Sequence, residues 1–95
     1  MNLTIALPDN FTDLSRLQAR LETAISGEDF VLVYCNKLSM EVFQLLYEKH
    51  CNVTETKHDK PDFLIAFWDG KEGEVKEIIN ECMKKGVKVK IINEG

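Results

Sequence analysis

Asp62-Phe63-Leu64-Ile65-Ala66-Phe67-Trp68-Asp69-Gly70-Lys71 is the stretch on which the fold turns. Phe63 to Trp68 is apolar at every position, the mark of a strand covered on both faces. Asp69-Gly70-Lys71 then turns the chain into a helix. Val75, Ile78, Ile79, Cys82 and Met83 recur there at one-face helical spacing, and Gly86 is placed to end it. Beyond it Val87, Val89 and Ile91 alternate with Lys88 and Lys90, which reads as an edge strand guarded by lysines. Strand, helix and strand in this rhythm form a right-handed crossover between parallel neighbours.

The same rhythm runs upstream. Leu3, Ile5 and Leu7 alternate with Thr4 and Ala6 in a first strand, which Pro8-Asp9-Asn10 ends. Leu14, Leu17, Leu21, Ala24 and Ile25 mark a helix, with Thr12 or Asp13 as its N-cap and Gly27 closing it. Phe30-Val31-Leu32-Val33-Tyr34 is a second strand of the doubly covered kind. After Cys35-Asn36-Lys37, Ser39 caps a helix whose stripe is read as Val42, Phe43, Leu46 and Tyr47. Asn52-Val53-Thr54-Glu55 is a weak strand suited to an edge. The strand order 3-2-1-4-5 satisfies all of these features. The expectation is one domain over residues 1–95: a small Rossmann-like α/β sheet of about five parallel strands with three helices.

One connection is short. Thr56 to Asp62 must carry the chain across the sheet, where a crossover helix normally takes roughly ten residues or more. Apolar sheet is therefore expected to stay uncovered, and a homo-oligomer is expected to bury it through part of the Phe63–Trp68 strand.

Charge narrows the function classes. Against 12 Lys and Arg stand 16 Asp and Glu, a formal net charge of −4, which disfavours general binding to nucleic acid or to anionic membranes. At 44% hydrophobic and 29% charged residues the chain has the composition of a folded domain, not a disordered one. Met1 to Asn10 shows no basic segment followed by an apolar run, so no signal peptide is expected. Cys35, Cys51 and Cys82 are widely spaced and odd in number, which suits reduced thiols and a cytoplasmic location. His50, His58 and Asp59 match no ligand frame, and no metal or cofactor is expected.

A site in such a sheet lies beyond the carboxyl ends of the strands, at the switch between the first and fourth. The residues brought there are Asp9, Asn10, Phe11, Asn36, Lys37, Ser39, Trp68, Asp69, Gly70 and Lys71. Gly70 admits close backbone approach, and the second and third helices offer N-terminal N–H groups to an anion. Lys37 and Lys71 suit a phosphate, Asp9 or Asp69 suits ribose hydroxyls, and Trp68 or Phe11 suits a base. Each has a structural alternative: Trp68 as core, Lys71 as a solvated side chain, Cys35 as a small buried hydrophobe rather than a nucleophile. No Ser-His-Asp order, paired carboxylates or Walker-type loop is present in the sequence.

Asp62 to Lys71, with the following helix and Gly86-Val87-Lys88-Val89, resembles the C-terminal half of the SLOG superfamily, most nearly its YspA-like branch. Asn10-Phe11-Thr12-Asp13 is similar to that branch's R-D-F-x-D opening. The resemblance implies a Rossmann-like domain that binds nucleotides or nucleotide-derived signals, often in phage and bacterial conflict. The departures are specific. The glycine-rich turn expected after the second strand is here Tyr34-Cys35-Asn36-Lys37-Leu38-Ser39-Met40-Glu41, and Asp9 or a neighbour replaces the opening arginine. Such losses argue against tight phosphate cradling and against hydrolysis. The expectation is thus non-catalytic binding of a nucleotide-derived small molecule, with no nucleic-acid or membrane partner. The alternative is a degenerate SLOG-like domain acting through protein contacts.

Overall fold

The computed structural model describes residues 1–93 of the chain. Strands are β1 (Asn2–Ala6), β2 (Leu32–Cys35), β3 (Asn52–Val53), β4 (Phe63–Trp68) and β5 (Lys88–Asn93). Helices are α1 (Leu14–Ile25), α2 (Met40–Glu48) and α3 (Glu74–Lys84). The five strands form one sheet in the order β3-β2-β1-β4-β5, and every pairing is parallel. This is the small Rossmann-like α/β sheet that the sequence pattern dictates. Among the described residues no helix is long and apolar enough to cross a membrane.

Period-two alternation divides the strand side chains between two cores. Leu3, Ile5, Leu7, Val33, Ile65 and Phe67 face α1 and α2, packing with Leu17, Leu21, Val42 and Leu46. Ala6, Leu64 and Ala66 face α3, packing with Val75, Ile78, Ile79 and Cys82. Local signals fix the helix ends. Asp13 accepts from the Arg16 N–H at the start of α1, and Ser39 Oγ accepts from the Val42 N–H at the start of α2. Gly27 and Gly86, at φ 81° and 74°, take the left-handed turns that follow α1 and α3.

The cover of the sheet differs from the sequence reading. β4 is covered within the chain itself, with Leu64, Ile65, Ala66 and Phe67 all buried. The helix-free connection after β3 is strapped to α3 by Lys57–Glu81 (3.0 Å) and to the residue that caps it by Lys85–Asp59 (3.1 Å). His58 Nε2 lies 3.0 Å from the Leu32 carbonyl, and Asp62 Oδ2 accepts from the Asn2 N–H at 2.7 Å. Lys57 and Lys85 hold the Glu81 carboxyl below its ordinary range.

The shortage of cover falls instead on β2. Its Leu32 and Tyr34, on the side away from α1 and α2, are only half-buried, and Phe30 lies outside the strand and exposed. α2 is rotated from its expected setting. It buries Val42, Leu45 and Leu46 and leaves Phe43 and Tyr47 exposed. β5 in turn runs on to Asn93 and sets Ile92 into the α1-side core.

Thr4 sits on the α3 side of β1 at 2% exposure, and its Oγ1 finds no hydrogen-bond partner among the described residues. A buried hydroxyl without a partner costs about 1–3 kcal/mol. Thr4→Val keeps the shape and removes that group, so it is expected to stabilise the protein by about 1 kcal/mol. Urea unfolding reads this as a raised midpoint at unchanged slope. A lowered midpoint would show that the hydroxyl has a partner in solution.

Candidate functional site

Parallel strands end on one side of the sheet, and β1 and β4 are neighbours whose chains leave toward opposite layers. The loops after β1, β2 and β4 therefore adjoin. Three clefts meet on the Pro8–Asp9 ridge. One of about 450 Å³ is lined by Pro8, Asp9, Asn10, Phe11, Thr12 and Asp69. A second of about 400 Å³ opens toward α2, along Phe11, Asn36, Lys37, Leu38, Ser39 and Val42. A third, of about 100 Å³, lies toward α3 beside Asp69, Lys71, Gly73 and Glu74.

Most of the residues singled out in sequence are bonded within the chain here. Asn36 Oδ1 accepts from the Leu7 N–H at 2.7 Å, and its Nδ2 donates to the Leu7 carbonyl at 3.0 Å. The same Nδ2 donates to Glu74 Oε1 at 2.7 Å. One amide thus continues the β1–β2 ladder by a step and ties it to the start of α3. Lys37 Nζ pairs with Asp9 Oδ1 at 3.1 Å. That hydrogen bond, with the charges of Asp9 and Glu74, raises the Lys37 pKa. Both partners are exposed, so the pair contributes little stability.

The aromatic groups are also engaged. Phe11 is half-buried against Phe67, with ring centroids 4.8 Å apart and planes at 58°, so its face belongs to the core. The Trp68 indole N–H donates to the Lys71 carbonyl at 2.8 Å, and its ring packs beside the α3 core. Asp69 Oδ1 accepts from the Lys71 N–H at 3.0 Å, closing the turn in which Gly70 takes φ 83°. Asn10 and Lys71 are exposed at the rim of the clefts.

Electrostatics alter the ligand chemistry expected from sequence. Asp9, Asp69, Glu72 and Glu74 line the crevice against Lys37 and Lys71. The first turn of α3 carries Glu74 and Glu77, which already complement its dipole, and the α2 N-terminus is served by Ser39. Neither helix start is an open anion seat. Net negative charge repels a phosphate and suits hydroxyl or amine donors. Burial pushes the Cys35 thiol up to about 11, so it is protonated at neutral pH and a poor nucleophile.

Glu74 lines the crevice but is not among the residues singled out from the sequence, where an acidic group in a helix's first turn reads only as complementing the dipole. Its position in the turn after Gly73 hinted at the crevice, but nothing local announces its contact with Asn36, 38 residues away. Comparisons with protein-family models, with curated proteins and with solved structures each return no match. The class of protein is therefore the one defined by fold and crevice: a small Rossmann-like α/β domain with a self-bonded, acidic switch-point crevice.

Proposed function

We propose that this crevice binds, without catalysis, a small molecule derived from a nucleoside, held through its sugar hydroxyls and base rather than through phosphate. The supporting observation is the pair of clefts, about 450 and 400 Å³, that meet at Asp9. Each falls within the usual range for ligand pockets, about 300–1,000 Å³. Carboxylates at Asp9 and Asp69 accept from vicinal hydroxyls, and the bonded walls need little reordering on binding. The likeness of Asp62 to Lys71 to the SLOG superfamily favours a nucleoside core, and the local charge selects against its phosphates.

Thermal melting against nucleosides, ADP-ribose and mono-, di- and cyclic nucleotides tests the reading. A ligand at 100 times its Kd adds about 2.7 kcal/mol, a rise of more than about 10 °C for a domain this small. The expected order is nucleoside above the corresponding nucleotide, with Asp9→Asn and Asp69→Asn each weakening binding roughly tenfold. No shift with any ligand overturns the proposal, and tighter binding with each added phosphate overturns its electrostatic part.

A second reading has its own observation. Asn36, Ser39, Trp68 and Asp69 all satisfy groups within the chain. A crevice closed on itself in this way suits a degenerate SLOG-like domain working through protein contacts. Loss of a specific protein partner on Lys71→Glu, with no small-molecule binding, would favour it.

A further inference from the structure

Asp9 stands in the turn after β1, where the Phe11 N–H donates to the Pro8 carbonyl at 3.2 Å. It lines all three clefts of the crevice. Lys37 enters from the loop after β2 and lines two of them. The two side chains meet at 3.1 Å, Lys37 Nζ on Asp9 Oδ1, and their pair bridges one loop to the other. The carboxylate common to every cleft is thus already held by the chain's own ammonium.

The backbone beside this pair is fixed. Asn36 is bonded to both Leu7 main-chain groups and to Glu74, and Ser39 caps α2. Parting Lys37 from Asp9 therefore asks only for side-chain rotation. It also asks for little energy, because Asp9 is 82% and Lys37 48% exposed, and ion pairs in such surroundings hold weakly. Glu74, in the first turn of α3, acts on the same ammonium through its charge. A lysine leaving Asp9 thus keeps a counter-charge across the crevice.

We propose that Lys37 is a latch on the crevice: it occupies Asp9 in the ligand-free protein and yields it to the vicinal hydroxyls of a ligand. The latch rests on the reading of the crevice as a nucleoside site. A vicinal diol donates two hydrogen bonds side by side, one to each oxygen of a carboxylate. Oδ1 is the oxygen that Lys37 holds, so full recognition of the diol displaces the ammonium. A nucleoside without the diol has no claim on Asp9 and leaves the pair closed. The latch lowers the apparent affinity for a diol by the fraction of molecules in which it stands open, roughly a fifth to two-fifths for an exposed pair. A latch and an anchor differ in sign: losing an anchor weakens binding, and losing a latch tightens it.

Chemical-shift titration of the full chain with adenosine, guanosine, cytidine and uridine, each beside its 2′,3′-dideoxy form, tests it. Lys37→Met is expected to bind the ribonucleoside that wild type accepts about two- to fivefold more tightly, and the dideoxy form no differently. Raising salt from about 20 to about 500 mM screens the pair, so the wild-type Kd for the uncharged ribonucleoside is expected to fall about twofold. The Kd of Lys37→Met is expected to stay fixed. Added to Asp9→Asn, the lysine change is expected to bring no gain. Unchanged or weaker ribonucleoside binding by Lys37→Met, or an equal gain for the dideoxy form, overturns the latch and leaves the crevice reading standing. Binding of no ribonucleoside by wild type or by Lys37→Met overturns the crevice reading, and the latch with it.

Discussion

Phe67→Ala is expected to destabilise the protein by about 4 kcal/mol, against a total of about 5–14 kcal/mol for a domain of this length. Phe67 is fully buried on β4, where it pairs in register with Ile92 of β5 and packs in the α1-side core. Its removal loses the transfer energy of a large side chain and leaves a cavity that strands paired on both sides cannot close. It also removes the Phe11 contact, for which an aromatic pair adds about 0.5–1.5 kcal/mol. Phe11 stands in the loop after β1 and lines both larger clefts, so the same change loosens the crevice. Urea unfolding followed by circular dichroism measures the loss. Phe67→Leu, which keeps most of the volume, is expected to cost about 1.5 kcal/mol. A loss below about 2 kcal/mol for the alanine variant would mean that this core closes over the gap, and that Phe67 does not anchor the loop.

The strand order was legible because burial leaves a chemical mark on each strand. Phe63 to Trp68 is apolar throughout and lies between two neighbours, while Lys88 and Lys90 mark an edge and occupy one. α2 was legible as a helix but not in its rotation. Met40, Val42, Phe43, Leu45, Leu46 and Tyr47 spread apolar surface around most of its circumference, and periodicity then selects no inner face. Packing on β2 and β3 makes the choice, and it chooses Leu45 over Phe43 and Tyr47. β2 misled for a related reason. Apolar composition shows that a strand tolerates cover on both faces, but the cover comes from another segment. Here the helix-free connection leaves Leu32 and Tyr34 half-covered. The crevice followed the same rule: topology named its three loops, whereas bonds such as Asn36–Glu74 and Lys37–Asp9 arise only once distant segments meet.

Asn36→Ala is expected to cost about 2–3 kcal/mol. The side chain is half-buried, so water restores part of what is lost, but the Leu7 backbone it serves lies on a fully buried residue. An unsatisfied buried donor or acceptor costs about 1–3 kcal/mol, and here one of each is orphaned together with a charge-assisted bond to Glu74. Asn36→Asp separates the parts. It keeps an acceptor for the Leu7 N–H but sets a carboxylate against the Leu7 carbonyl and Glu74. That repulsion raises the folded pKa of the new carboxyl above its unfolded value near 3.9. The repulsive penalty is therefore absent below pH ~3.9 and grows as pH rises toward the folded pKa. At pH 7 the aspartate variant is expected to be less stable than the alanine variant, and in acid the order reverses. Glu74→Gln, which removes only the charge, should cost under about 1 kcal/mol, and its cycle with Asn36→Ala should be non-additive. Hydrogen exchange at the Leu7 amide supplies a local reading, accelerated in both Asn36 variants and little changed in Glu74→Gln. If Asn36→Ala instead unfolds within about 0.5 kcal/mol of wild type, solvent serves the Leu7 groups and the crevice is not held shut by this side chain.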